Sequence, residues 1–129
     1  MLGIGIGGNS KLARDRVANK ADGWMPLLLP PEYHATVRSP AIGGLPGVAK
    51  AAAEIRAVAA ARGAPIDLVY PYSDSSLHDD PGADVGRHKE AFAELAEVGV
   101  TWTMISVRAG KPAQTLGFLE KFGREYISA

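Results

Sequence analysis

Four times along the chain a short apolar run is followed by a stretch in which apolar residues recur at helical spacing, and that alternation limits the possible folds more than any other feature. Residues 3–8 are glycine-rich with Ile4 and Ile6 alternating, which reads as a short buried strand. Ser10 stands where an N-cap belongs. Behind it, residues 11–20 carry Leu12, Ala13, Val17 and Ala18 as the apolar stripe and Arg14, Asp15, Arg16 and Lys20 outside. The second run, residues 24–29, contains Pro26, which confines the strand to its beginning. Residues 30–46, with four prolines and the pair Gly43-Gly44, are expected to form a long loop. A helix follows on Val48, Ala51, Ala52, Ile55, Val58 and Ala59 and ends at Gly63. Residues 66–72 form the third strand and 73–82 a polar loop; the third helix carries Val85, Phe92, Leu95 and Ala96 and stops at Gly99. Residues 100–107 are a β-branched strand with Trp102 expected in the core, and Pro112 opens a last helix with Leu116, Leu119, Phe122 and Tyr126. Four such units imply parallel strands joined by right-handed crossovers, so the class is α/β, in one domain over residues 1–129.

Composition narrows the function. The 14 basic residues balance the 14 acidic ones, which removes the electrostatic argument for nucleic acid or an anionic membrane. With no cysteine there is neither a disulfide framework nor a thiolate nucleophile or metal ligand. No apolar run reaches the roughly 18 residues of a membrane span, and Met1-Leu2-Gly3 lacks the basic start of a secretory signal. A soluble, cytoplasmic protein is the expectation.

The stretch Gly3-Ile4-Gly5-Ile6-Gly7-Gly8 fits the dinucleotide-binding pattern G-x-G-x-x-G only in letters. That motif must follow a strand, and only Met1 and Leu2 precede it; its acid should end the second strand, whereas Asp22 stands before the second run. The placement instead makes Gly7-Gly8-Asn9-Ser10 the turn from strand to helix. Two glycines admit a ligand close to the backbone, and the N–H groups of a helix start, with Ser10 and Lys11 nearby, favour an anion such as phosphate. A plain capped glycine turn accounts for the same residues.

The run Ile4-Gly5-Ile6-Gly7-Gly8-Asn9-Ser10, a short basic helix, and then Ala21-Asp22-Gly23-Trp24-Met25-Pro26 together resemble the C-terminal half of the luciferase-like monooxygenase family. Later segments agree in order: Ala52-Ala53-Glu54-Ile55-Arg56, Leu95-Ala96-Glu97-Val98-Gly99-Val100-Thr101-Trp102, and Thr115-Leu116-Gly117-Phe118-Leu119-Glu120-Lys121-Phe122. The resemblance implies a TIM (β/α)8 architecture, of which this chain carries the equivalent of strands five to eight, and a deazaflavin coenzyme or FMN as cofactor. It implies that Gly7 and Gly8, with Asn9 and Ser10, hold the cofactor phosphate, and that Trp24 and Met25 lie beside the ring or its ribityl-type chain. The implied activity is that of a flavin- or deazaflavin-dependent oxidoreductase, moving hydride or oxygen to a small organic substrate. No catalytic residue carries over, because the matched motifs are binding motifs. A complete barrel needs about 250 residues and eight units, against 129 and four here. Four parallel strands leave two edges and an apolar face, so the chain is expected to flatten, to pair with itself as a homodimer, or to dock with a separate half-barrel partner. The competing reading is a non-catalytic half-barrel or interaction module.

Other residues weigh less. His34 and His78 lie in loops after strands and suit general acid–base work, but solvated loop histidines are preferred because no partner is fixed by sequence. His88 is expected inside a helix, bordering core or solvent. Asp74, His78, Asp79, Asp80 and Asp84 match neither a calcium loop nor a zinc ligand set, so no metal is expected. Lys11, Arg14, Arg16 and Lys20 form a basic helix surface that an anionic coenzyme tail, or simply solvent, could cover.

Overall fold

The computed structural model describes residues 3–108 and 110–127; Met1 and Leu2, used above to place the first strand, and the last residues of the 1–129 domain lie outside them. Its strands are β1 (Gly5–Gly7), β2 (Gly23–Met25), β3 (Asp67–Tyr72) and β4 (Trp102–Ile105), all parallel and in the order β1-β2-β3-β4. The protein is therefore α/β. Sequential order with parallel pairing forces every connection to cross over the sheet, and each crossover contains a helix. These are α1 (Lys11–Lys20), α2 (Pro31–Val37), α3 (Gly44–Ala59), α4 (Ser75–Asp79) and α5 (Val85–Glu97), with α6 (Pro112–Phe122) after β4. A 3-10 turn, Ala60–Arg62, extends α3, and a π turn, Gly123–Ile127, extends α6.

Alternation along the strands separates two faces. Ile6, Trp24, Leu68 and Tyr70 pack into the layer of α1 and α3, where Val17, Val48, Ala51, Ala52, Ile55 and Ala59 complete the core. Burying Val17, Val48 or Leu68 completely stabilises the fold by about 1.5–3 kcal/mol each. Alanines at the α1–α3 contact let the two helices approach closely. Two arginines fasten the amino end of the sheet. Arg62 donates to the carbonyls of Val17, Ala18 and Ala21 at the end of α1, where the helix leaves acceptors without intrahelical donors. Arg56 donates to Ile66 O and Gly99 O, tying the approaches to β3 and β4 together. The opposite face of the sheet presents Gly5, Gly7, Met25, Trp102 and Met104 outward, with Trp102 63% exposed.

Several sequence expectations change. Trp102 is not in the core: its strand is an edge, and its parity points it at the uncovered face. Residues 30–46 are not all loop, since Pro30–Pro31 starts α2 by fixing the backbone for its first turn and Gly44 already opens α3. The polar stretch 73–82 contains α4, whose N-cap Asp74 accepts from Ser76 N–H. On α6 the buried residue is Phe118, while Leu116 and Leu119 are exposed, because the helix packs through Phe118, Phe122 and the following Tyr126. Leu12 likewise faces out of α1, and Ile4 stands exposed before β1. The strands are also shorter than the apolar runs that contain them.

Candidate functional site

At the carboxyl end of the sheet, β1 turns into α1 through Gly8, whose φ of +103° is a conformation that L side chains rarely adopt. Two bonds to β2 fix this turn: Gly8 N–H donates to Met25 O at 3.3 Å, and the indole N–H of Trp24 donates to Gly8 O at 2.8 Å. Asn9 is fully enclosed behind it. Its amide donates to Leu27 O and Pro40 O and accepts from Leu27 N–H, while its own N–H donates to Ser39 Oγ. One side chain thus fastens two chain segments, at Leu27 and at Pro40, to the turn. Ser10 caps α1 by accepting from Ala13 N–H at 3.1 Å.

These contacts sort the expected site residues by what each still offers. Gly7, Gly8 and Ser10 lie together at the mouth of α1, where first-turn N–H groups lack intrahelical acceptors. Asn9 and Trp24 instead hold the shape of the turn from inside, and Trp24 is only 1% exposed. Met25 stands on the open face beside Gly7, its register partner. Of the basic surface, Lys11 pairs with Asp15 at 2.6 Å and Arg14 with Glu54 at 3.1 Å, both at the solvent boundary.

A cleft of about 440 Å³ is lined by Leu27 to Pro31, His34, Ile42, Gly43 and Tyr70; it shares Leu27 with the anchoring of Asn9 and includes none of the turn residues themselves. Burial pushes the Tyr70 phenol above its ordinary pKa. His34 is no free loop side chain: its ring nitrogens sit 2.9 Å from Ser39 O and 3.0 Å from Leu29 O, so the ring links the two ends of the α2 segment. His78 is also engaged, with Nε2 3.2 Å from Tyr72 O.

A second constellation gathers where β3 ends. His88 is completely buried, with Nδ1 2.7 Å from the Tyr72 hydroxyl and Nε2 2.9 Å from Ser76 Oγ. Ser76 donates in turn to Asp74, and Arg87 binds Asp74 at 2.7 Å and Ser76 at 2.8 Å. That order suits the Nε2–H tautomer of His88, with Nδ1 accepting from Tyr72. The Arg87 guanidinium and the Ser76 hydroxyl hold the Asp74 carboxyl far below the ordinary carboxylate range. Burial, and then the charge of Asp74, push the Tyr72 phenol up, partly offset by Arg87. Every polar group in the chain from Tyr72 to Asp74 has its partner, which makes it a clasp between β3, α4 and α5. Sequence reading missed it because Ser76, Arg87 and His88 carry no motif; the one usable signal was a histidine on the inner side of α5.

The remaining acids pair with cations: Asp79 lies 3.6 Å from Arg108, Asp80 2.6 Å from Lys121, and Asp84 3.3 Å from Arg87. Among the described residues, no group of three His, Asp or Glu is arranged to hold a metal ion, and no helix is long and apolar enough to cross a membrane. In comparisons with known proteins, the sequence matches no family model and no curated protein.

Proposed function

We propose that the chain is a half-barrel of luciferase-like type that binds the phosphate of a flavin or deazaflavin coenzyme at the Gly7-Gly8-Asn9-Ser10 turn. The observation that carries this reading is the rigid turn itself. Gly8 is held in its left-handed conformation by Met25 and Trp24, Asn9 is locked behind it, and the start of α1 opens at the carboxyl end of a parallel sheet. Ligands of such sheets bind at that end. A phosphate there meets backbone donors and the positive end of the helix dipole, with Lys11 on the first turn to add charge. The Asn9 role implied by the family becomes one of positioning, because its donors are already used. When bound, the coenzyme would supply hydride transfer or oxygen activation; the residues of this turn would hold its phosphate.

The test is a titration of the full chain with FMN and with the deazaflavin coenzyme, followed by coenzyme fluorescence and repeated against inorganic phosphate as competitor. The expected result is saturable binding of one coenzyme in the micromolar range, relieved by phosphate and weakened at least tenfold in Lys11→Glu, whose side chain is exposed, with an unchanged circular dichroism spectrum as the control for folding. Which coenzyme saturates identifies the cofactor. Failure of both overturns the reading.

A second reading is favoured by the uncovered sheet face: a non-catalytic module whose task is to dock through Trp102 and Met104.

A further inference from the structure

We propose that the open face of the sheet closes on a second copy of this chain, β4 of each copy pairing in parallel with β1 of the other to give an eight-stranded ring. This rests on the sheet and the helices at its two ends and is independent of the coenzyme reading.

Three features of the two sheet ends complement each other. The first is the backbone. Among the described residues β1 and β4 each have one neighbour, so each shows a row of unpaired N–H and C=O groups. On β1 these belong to Gly5 and Gly7, because Ile4 and Gly8 are the residues bonded across to the β2 side. A twofold axis along the strands brings β4 of one copy beside β1 of the other, and the same rotation makes the second, identical seam. Both edges are satisfied at once and all eight strands run the same way.

The second is the side chains on that face. β4 offers Trp102 and Met104, the largest exposed groups of the sheet, and β1 offers Gly5 and Gly7, with no side chain at all. Across the seam the bulky pair meets the empty pair, so the enclosed space fills without displacing either strand. Between them stand Met25, Val69 and Pro71, and Asp67 is the only charged strand residue, its carboxylate accepting from the Thr101 hydroxyl at 3.0 Å. Such an apolar lining suits enclosure.

The third is the helix layer. A right-handed crossover sets the helix after a strand over the next strand, so α6 lies over the seam, next to α1 of the other copy. Those are the helices with unburied leucines: Leu116 and Leu119 of α6 are 60% and 54% exposed, and Leu12 of α1 is 60% exposed. One rotation covers the sheet face and both edges, and brings these two helices side by side.

Sedimentation equilibrium of the full chain over a micromolar concentration series tests this. The expected result is a reversible shift from 13.5 kDa to twice that mass, with no larger species. Trp102→Lys and Gly5→Val should each raise the dimer dissociation constant at least tenfold, with unchanged circular dichroism and melting temperature in dilute solution. Neither disturbs the single copy, since Trp102 is exposed and a Cβ at Gly5 meets only Gly23 O at 3.9 Å. Having two independent substitutions keeps the test valid if one variant misfolds. A chain still monomeric at about 100 μM, well above the micromolar affinities of weak specific complexes, overturns the proposal and leaves the face to a different partner. An open-ended series of masses, or a dimer indifferent to both substitutions, overturns it equally.

Discussion

Around α1, α3, β2 and β3 the layers are joined by apolar contact: Val17, Trp24, Val48, Ile55 and Leu68 are all buried, and the polar bonds there serve turns and helix ends. From the end of β3 onward the joints are of another kind. His88 sits in a hydrogen-bonded chain from Tyr72 to Asp74, Lys121 reaches Asp80, and rings at Tyr72, Phe92, Tyr126 and Phe122 pack in sequence with centroid separations of 4.9, 5.6 and 4.7 Å. The first region is insensitive to direction, since apolar contact is proportional to area. The second depends on geometry, since each hydrogen bond needs its partner in place. The four short strands of the described residues are thus joined by apolar area in the first region and by fixed polar partners in the second.

Substitutions can break this contrast in order of size. The largest effect is expected from Trp24→Ala, which removes the largest fully buried side chain and the donor to Gly8 O; urea unfolding should show a loss of about 3–5 kcal/mol. A loss below about 1 kcal/mol would mean that the apolar region is not the main source of stability. Next comes His88→Ala, expected to reduce stability by about 2–3 kcal/mol by leaving a cavity and an unpartnered Tyr72 hydroxyl. Hydrogen exchange should then rise in α4 and α5 while the amides of α1 and α3 keep their protection; a uniform rise would erase the distinction between the regions.

The smallest effect separates them by pH. Asp74 ionises well below its ordinary value of 3.8 when folded, so its pairing contributes fully above about pH 4 and is lost as pH falls through the folded value. Asp74→Asn should therefore lower stability by under about 1 kcal/mol at pH 7, the size of an ion pair near solvent, and should flatten the decline of stability below pH 4. An acid limb as steep as in the unsubstituted chain would show that other carboxylates govern it.

The βα order was legible because each helix of the core has its own periodic stripe: Val48, Ala51, Ala52, Ile55, Val58 and Ala59 announce α3, and all but Val58, which is exposed, are buried. The turn was legible for a similar reason, since a glycine pair before Ser10 has few uses other than a tight entry into a helix. What failed was facing. Leu116 and Leu119 read as core because hydrophobicity says that a residue prefers burial, not that a neighbour exists to bury it. Trp102 failed likewise, being in an edge strand. The Tyr72–His88–Ser76–Asp74 chain could not be read because its members meet only after α4 folds back beside α5, and none is spaced from another as any motif requires.

The placement of the two tryptophans has an optical consequence. Trp24 is sealed in the apolar layer and Trp102 looks out from the bare side of the sheet. Emission from the first is therefore blue-shifted and changes when the layers separate, whereas emission from the second is red-shifted in the single chain and changes only when something covers it. The chain carries its own pair of indicators, one for whether it is folded and one for whether it is accompanied.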